Sequence, residues 1–301
     1  MKRNIVQQGP STLMVSIPSK WVKKYNLKKG MQVEVEEKGR DLFISTHNLL
    51  ESKKKEISLL HSNHYYIWRE LVAAYVSGYD EITVKYSNVE SYEFIEQHVL
   101  PAFIGFEIVE HKTDYCVLKK IAHEEIQDFQ IIMRRIFLTL LHASEQFLHI
   151  LKTSQDINTI EPLERTNNRQ TYYLTRLLTK EGYEKQDKTT FASTLVFLLE
   201  QLMNQYKYCA WAIKRQKANK VKSKIIEYYE QVHKKLEQLY ELYFSYSQVK
   251  FEQFRNRTTN IDSRTGEGID LIKEYPIVMH YILSMIEKMN YASYQIQGIQ
   301  N

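Results

Sequence analysis

From residue 124 to the end of the chain, apolar side chains recur at alternating spacings of three and four. Ile126, Phe129, Met133, Ile136, Leu140, Ala143, Phe147 and Ile150 make the first such seam, the repeat of a helix buried along one face. Leu163, Leu174 and Leu177 mark a second helix, which Asp156 or Asn158 can cap, with Pro162 in its first turn and Gly182 at its end. Phe191, Leu195, Leu198, Leu202, Cys209 and Ile213 form a third seam. Val221, Ile225, Tyr228, Val232, Leu236, Leu239, Tyr243 and Tyr246 form a fourth. The last runs through Tyr275, Met279, Ile282, Met285, Met289, Ala292 and Ile296, with Pro276 in its first turn or at a kink. The polar stretch 255–268 reads as a loop or a short helix. Five long helices joined by short connections predict an antiparallel α-helical bundle. A chain of 301 residues with only 9 Gly and 5 Pro has few helix breakers.

The charge is placed unevenly. Residues 1–30 hold seven bases (Lys2, Arg3, Lys20, Lys23, Lys24, Lys28 and Lys29) and no acid, whereas the remaining 34 bases are outnumbered by 36 acids. The net charge of +5 therefore sits at one end, the electrostatic footprint of a polyanion partner such as double-stranded DNA.

That basic end has its own pattern. Ile5 and Val6 open a short strand, Gly9-Pro10-Ser11 is turn chemistry, and Leu13, Val15 and Ile17 alternate with Met14 and Ser16 as in a half-buried strand. Pro18 stops that strand and Ser19 begins a helical turn that carries Trp21 and Tyr25 on one face. Asn26 suits a left-handed cap. Val33 and Val35 start a third strand, Gly39 marks a hairpin, and Leu42 and Ile44 close a fourth. Some 45 residues with so few apolar side chains cannot bury a core alone. This order, with Val6, Gly9, Ser11 to Pro18, Lys20-Trp21, Asn26 to Gly30 and Val33-Glu34-Val35, resembles the SpoVT/AbrB (MazE-like) DNA-binding domain. The resemblance implies a small, β-rich, swapped-hairpin homodimer that binds duplex DNA. Carried over by position, the contacts fall on Arg3 in the first strand and Lys23 in the helix, with Lys2, Lys20 and Lys24 beside them and Ser11 and Thr12 donating to phosphate from the loop. Asn26 departs from the usual Gly. The bland reading of these lysines is a solvated, solubilising rim.

Glu51 to Glu56 carries no apolar residue and reads as a hinge. Residues 57–121 then predict a small α+β linker domain: a helix over 61–77 with Ile67, Leu71 and Ala74 on one side, a strand over 81–86, a helix over 87–100 closed by Pro101, and two strands around Phe106-Ile108-Val109 and Tyr115-Val117-Leu118. His61, His64, His98 and His111 lack metal spacing.

The whole is thus expected to be multidomain: residues 1–50, 57–121 and 122–301. An AbrB-like domain followed by a long helical domain resembles the PhoU-type phosphate-uptake regulators. In that family E-x-x-x-D repeats hold metal clusters across two helices. Here Glu164 to Asn168 and Glu200 to Asn204 occupy those repeats with Asn in place of Asp, and Glu287 to Asn290 is spaced by three. Asn is a neutral, poor ligand for a transition metal. A metal ion is therefore disfavoured, no cofactor is expected, and Glu200 and Asn204 are expected to hydrogen-bond between helices.

Cys116 and Cys209, far apart in apolar surroundings, read as reduced core residues. No targeting segment or apolar run long enough to span a bilayer is visible, so a cytoplasmic protein with no membrane insertion is expected. The chain shows no nucleophile–base pair, no Gly-rich phosphate loop and no His/Cys ligand set, so it is not expected to be an enzyme. The resulting expectation is a homodimeric DNA-binding transcriptional regulator, implied by resemblance to act in phosphate uptake, with a sensory or partner-binding helical domain. Its rivals are a signalling adaptor that docks on a phosphate transporter or sensor kinase without binding DNA, and an antitoxin-like module.

Overall fold

The computed structural model describes residues 2–38, 41–45, 53–60, 63–122, 129–153, 157–216, 223–261 and 266–301. Gly39, His61, Ile126, Asp156 and Val221, named above for a hairpin, a histidine set, two helical seams and a cap, lie outside them. The chain divides into two compact units, residues 1–53 and 54–301.

The described residues of the first unit form two antiparallel hairpins and one short helix. Strands β1 (Ile5–Gln7) and β2 (Leu13–Val15) pair with Ile5 opposite Val15 and Gln7 opposite Leu13. Helix α1 (Ser19–Lys24) starts after Pro18. Asn26 then takes φ 50°, the left-handed conformation that its residue type tolerates. Strands β3 (Glu34–Lys38) and β4 (Asp41–Ser45) form the second hairpin.

In the second unit, a four-stranded sheet has the order β5-β6-β8-β7, where β5 (Lys54–Ser58) runs parallel to β6 (Glu81–Lys85), and β8 (Tyr115–Lys120) is antiparallel to both β6 and β7 (Phe106–His111). Helix α2 (His64–Val76) makes the crossover between β5 and β6, capped by Asn63, whose side chain accepts from Tyr66 N at 2.9 Å. Helix α3 (Val89–Phe94), capped by Asn88, continues into a π-helical turn, Ile95–Val99. One sheet face buries Ile57, Ile82, Val84, Cys116 and Leu118 with Leu71, Tyr75 and Ile95 of the helices. The segment expected as a charged hinge is therefore a strand from Lys54 onward. Its parallel pairing is set by a distant strand, and Lys54 and Glu56 meet Glu81 and Lys85 of β6 at 2.8 Å and 2.6 Å.

Among the described residues seven α-helices follow: α4 (Phe129–Thr153), α5 (Ile160–Glu181), α6 (Thr189–Gln216), α7 (Ser223–Phe244), α8 (Gln248–Ile261), α9 (Gly266–Glu274) and α10 (Pro276–Gln300). Most described residues of the apolar seams form their common core, Phe191 at 38 % exposure excepted, and α4 packs on α5, α6 and α7 while α10 packs on α6 and α7. Pro276 is the first residue of α10 and Gly182, at φ 78°, ends α5. Most of the polar stretch at 255–268 lies in α8 and α9, because Phe251 and Phe254 anchor α8 in the core. Among the described residues no helix is long and apolar enough to cross a membrane.

Candidate nucleic-acid interface

The basic residues stand on a framework that a single copy does not cover. None of residues 2–35 is buried. Ile5 and Leu13 are each 68 % exposed, Leu42 is 69 % exposed, and Val6, Val15 and Val35 also face outward. Two-stranded hairpins with their apolar side chains in water are marginal on their own.

On this framework the expected contact residues fall in three places. Lys20, Lys23 and Lys24 are exposed on α1, whereas Trp21, Val22 and the following Tyr25 are half-buried. Lys23 and Lys24 occupy the last turn, where the helix dipole favours cations. The Trp21 and Tyr25 rings pack at 5.4 Å between centroids, and the Lys24 ammonium lies 5.0 Å from the centre of the Tyr25 ring. Ser11 and Thr12 lie exposed in the β1–β2 turn, where Gln8 N donates to Thr12 O at 2.8 Å and Gly9 takes φ 79°. Lys2 and Arg3 are exposed, and Arg3, expected on the first strand, lies two residues ahead of Ile5, where β1 begins. Exposed ammonium groups grip phosphate as point charges, whereas only the Arg3 fork can pair bidentately with a guanine edge.

Comparison with known families bears on this same stretch. Residues 6–55 match the family of antidote-toxin recognition MazE, a bacterial antitoxin. The N-terminal domain is thus of MazE/AbrB type. The match ends before α2 and leaves the helical region outside it. No curated protein and no solved structure matches the chain.

The four metal candidates of the sequence lie together on the facing sides of α5 and α6. Asn168 Nδ2 donates to Glu164 Oε1 at 2.8 Å, and Asn204 Nδ2 donates to Glu200 Oε1 at 2.8 Å. Each bond runs along its own helix, so the expected bond between helices is not made by these pairs. Spacing four sets the two groups on consecutive turns of one face, within mutual reach. The tie between helices comes from Lys207, whose Nζ donates to Glu164 Oε1 at 2.6 Å. Burial raises the Glu200 carboxyl above the ordinary carboxylate range, opposed by hydrogen bonds from Asn204 and Gln201 and by the charge of Lys207, and helped by Glu164. Burial, then the charge of Glu200, raises the Tyr172 hydroxyl beside them. These residues do not fit a transition metal. Ligands must present lone pairs to the ion, and here amide and ammonium hydrogens point at the carboxylates. Sequence reading missed Lys207, although it falls seven residues after Glu200, two turns along the same face.

Proposed function

We propose that the protein is a homodimeric DNA-binding transcriptional regulator. The observation that carries this reading is the joint one in the first unit: apolar strand residues with no cover in one copy, and seven bases with no acid among its first thirty residues. A second copy would supply the missing apolar cover and bring the two basic sets to one face. The helical region is then the part that senses a state or docks a partner, arranged as a bundle. Its resemblance to PhoU-type proteins, through domain order and the two Glu/Asn repeats, makes phosphate supply the proposed signal and a phosphate transporter or sensor protein the proposed docking partner.

The test is a fluorescence-anisotropy comparison of the wild-type protein with the double variant Arg3→Ala/Lys23→Ala on a duplex from its own promoter. Loss of binding with the dimer intact by sedimentation supports the reading. Undiminished binding, or a variant that falls apart into monomers, contradicts the assigned roles. A protein that ignores duplex DNA even at low salt would instead be the adaptor.

The family match favours a second reading, an antitoxin whose N-terminal domain binds DNA and whose remaining chain binds a toxin. Deletion of the gene separates the two. Loss of an antitoxin arrests growth by freeing its toxin, whereas loss of a regulator changes transcription in viable cells.

A further inference from the structure

We infer that Lys207 is the built-in cation of the α5–α6 carboxylate site, and that its ammonium, not a bound metal ion, ties these two helices together. This inference stands independently of the proposed DNA binding. Glu164 Oε1 accepts from both Asn168 Nδ2, at 2.8 Å, and Lys207 Nζ, at 2.6 Å. Glu200 Oε1 accepts from Asn204 Nδ2 at 2.8 Å, and its Oε2 accepts from Gln201 Nε2 at 2.5 Å. An ionised carboxylate only accepts hydrogen bonds, so each amide must turn its NH2 toward it and its oxygen away. The Asn residues that replace Asp in the repeats are therefore committed as donors. A cation arriving from solution would have to displace them and the ammonium as well.

The site is also closed against easy exchange. The side chains of Glu164 and Lys207 are 11 % and 15 % exposed. The Lys207 ammonium lies 5.2 Å and 5.5 Å from the centres of the Tyr208 and Trp211 rings, which favour a cation at that place. Lys207 is, moreover, the innermost of three ties in register between α6 and the start of α5. Trp211 Nε1 donates to Glu161 Oε1 at 2.9 Å, and Lys214 Nζ donates to Asn158 Oδ1, just ahead of α5, at 3.0 Å. Positions 207, 211 and 214 on one helix thus meet 164, 161 and 158, one turn at a time. Such a ladder performs the cross-linking that a metal cluster would otherwise supply, and makes the integrity of this region independent of metal supply.

The experiment uses the full chain purified without chelator. Metal content is measured by mass spectrometry, and Tm with and without EDTA, for wild type, Lys207→Met, Lys207→Arg, Glu164→Gln and the double variant Lys207→Met/Glu164→Gln. The expected wild-type result is substoichiometric metal and a Tm that EDTA does not move. Lys207→Met should lower the Tm by roughly 5–10 °C, Lys207→Arg should recover part of that loss, and the double variant should lose less than the sum of the single ones, as for a direct, largely buried ion pair. Stoichiometric metal in the wild type whose removal by EDTA lowers its Tm would overturn the inference, as would additive effects of Lys207→Met and Glu164→Gln. The wild-type measurements decide even where a variant fails to fold.

Discussion

Arg176 shows what a single residue does in this fold. Its side chain is fully buried, and it donates to Tyr75 O at 2.8 Å, Tyr79 O at 2.7 Å and Asp80 Oδ1 at 2.6 Å, with its guanidinium over the rings of Tyr75 and Phe106. It thereby fastens α5 to the end of α2 and the start of β6, and Asp80 also accepts from Lys180 at 2.7 Å. Arg176→Met should destabilise the second unit by about 3–5 kcal/mol, because it leaves buried acceptors without their donor; chemical denaturation of the two proteins checks this. Lys235 is the opposite case. Burial, aided by repulsion from Arg255, lowers its ammonium from 10.5 to about 7. Between pH 7 and pH 10.5 the unfolded chain then holds a proton that the folded chain has released, so this group makes stability rise with pH across that window. Urea unfolding of Lys235→Met at pH 7 and pH 9 should show a smaller rise than the wild type. Neither residue was legible beforehand. Arg176 and Lys235 each occupy an ordinary helical position, and only packing against a distant segment buries their ionisable groups.

At the scale of elements, periodic apolar spacing is what a sequence displays, and it located the long helices and the strands β6 and β8. It was silent where an element owes its form to a partner. Strand β5 turns one large apolar residue, Ile57, into the core, and α8 keeps its place through Phe251 and Phe254 in an otherwise polar run. A β-bulge between Ile108 and Glu110 turns Val109 outward, to 50 % exposure, although the sequence pattern groups it with Phe106 and Ile108. Close approach of elements gives a further expectation. A Cβ on Gly298 of α10 would strike the Phe191 ring of α6. Gly298→Ala should therefore cost about 1–3 kcal/mol by pushing that ring off its seat, measured as a fall in Tm, while Gly298→Ser should cost no less. In the first unit, Asn26 sits at φ 50°. Asn26→Gly should be tolerated and Asn26→Val should cost about 1–3 kcal/mol, read from the melting of that unit.

Across the molecule, the basic N-terminal stretch was the part of the candidate site most visible in the sequence, because charge asymmetry and turn chemistry are local properties. The α5–α6 ladder was only half visible, since the repeats named Glu164 and Glu200 but not the ammonium that joins them. The first unit buries none of its residues 2–35, so its stability should depend on protein concentration. Val6→Asp/Leu13→Asp should yield monomers in sedimentation experiments, with the second unit still folded by circular dichroism. In the proposed dimer, the paired basic N-terminal stretches grip duplex DNA through phosphate contacts. Two copies would bring twice the seven bases of one chain to the DNA, and if about half touch phosphate the affinity should fall about 10³-fold or more between roughly 50 mM and 200 mM salt. The most direct test is an anisotropy titration of the full-length protein against its promoter and a scrambled duplex at those two salt concentrations. A steep loss of affinity with salt and tighter binding to the promoter are expected. Binding that is absent at low salt, or that does not change with salt, would contradict this reading.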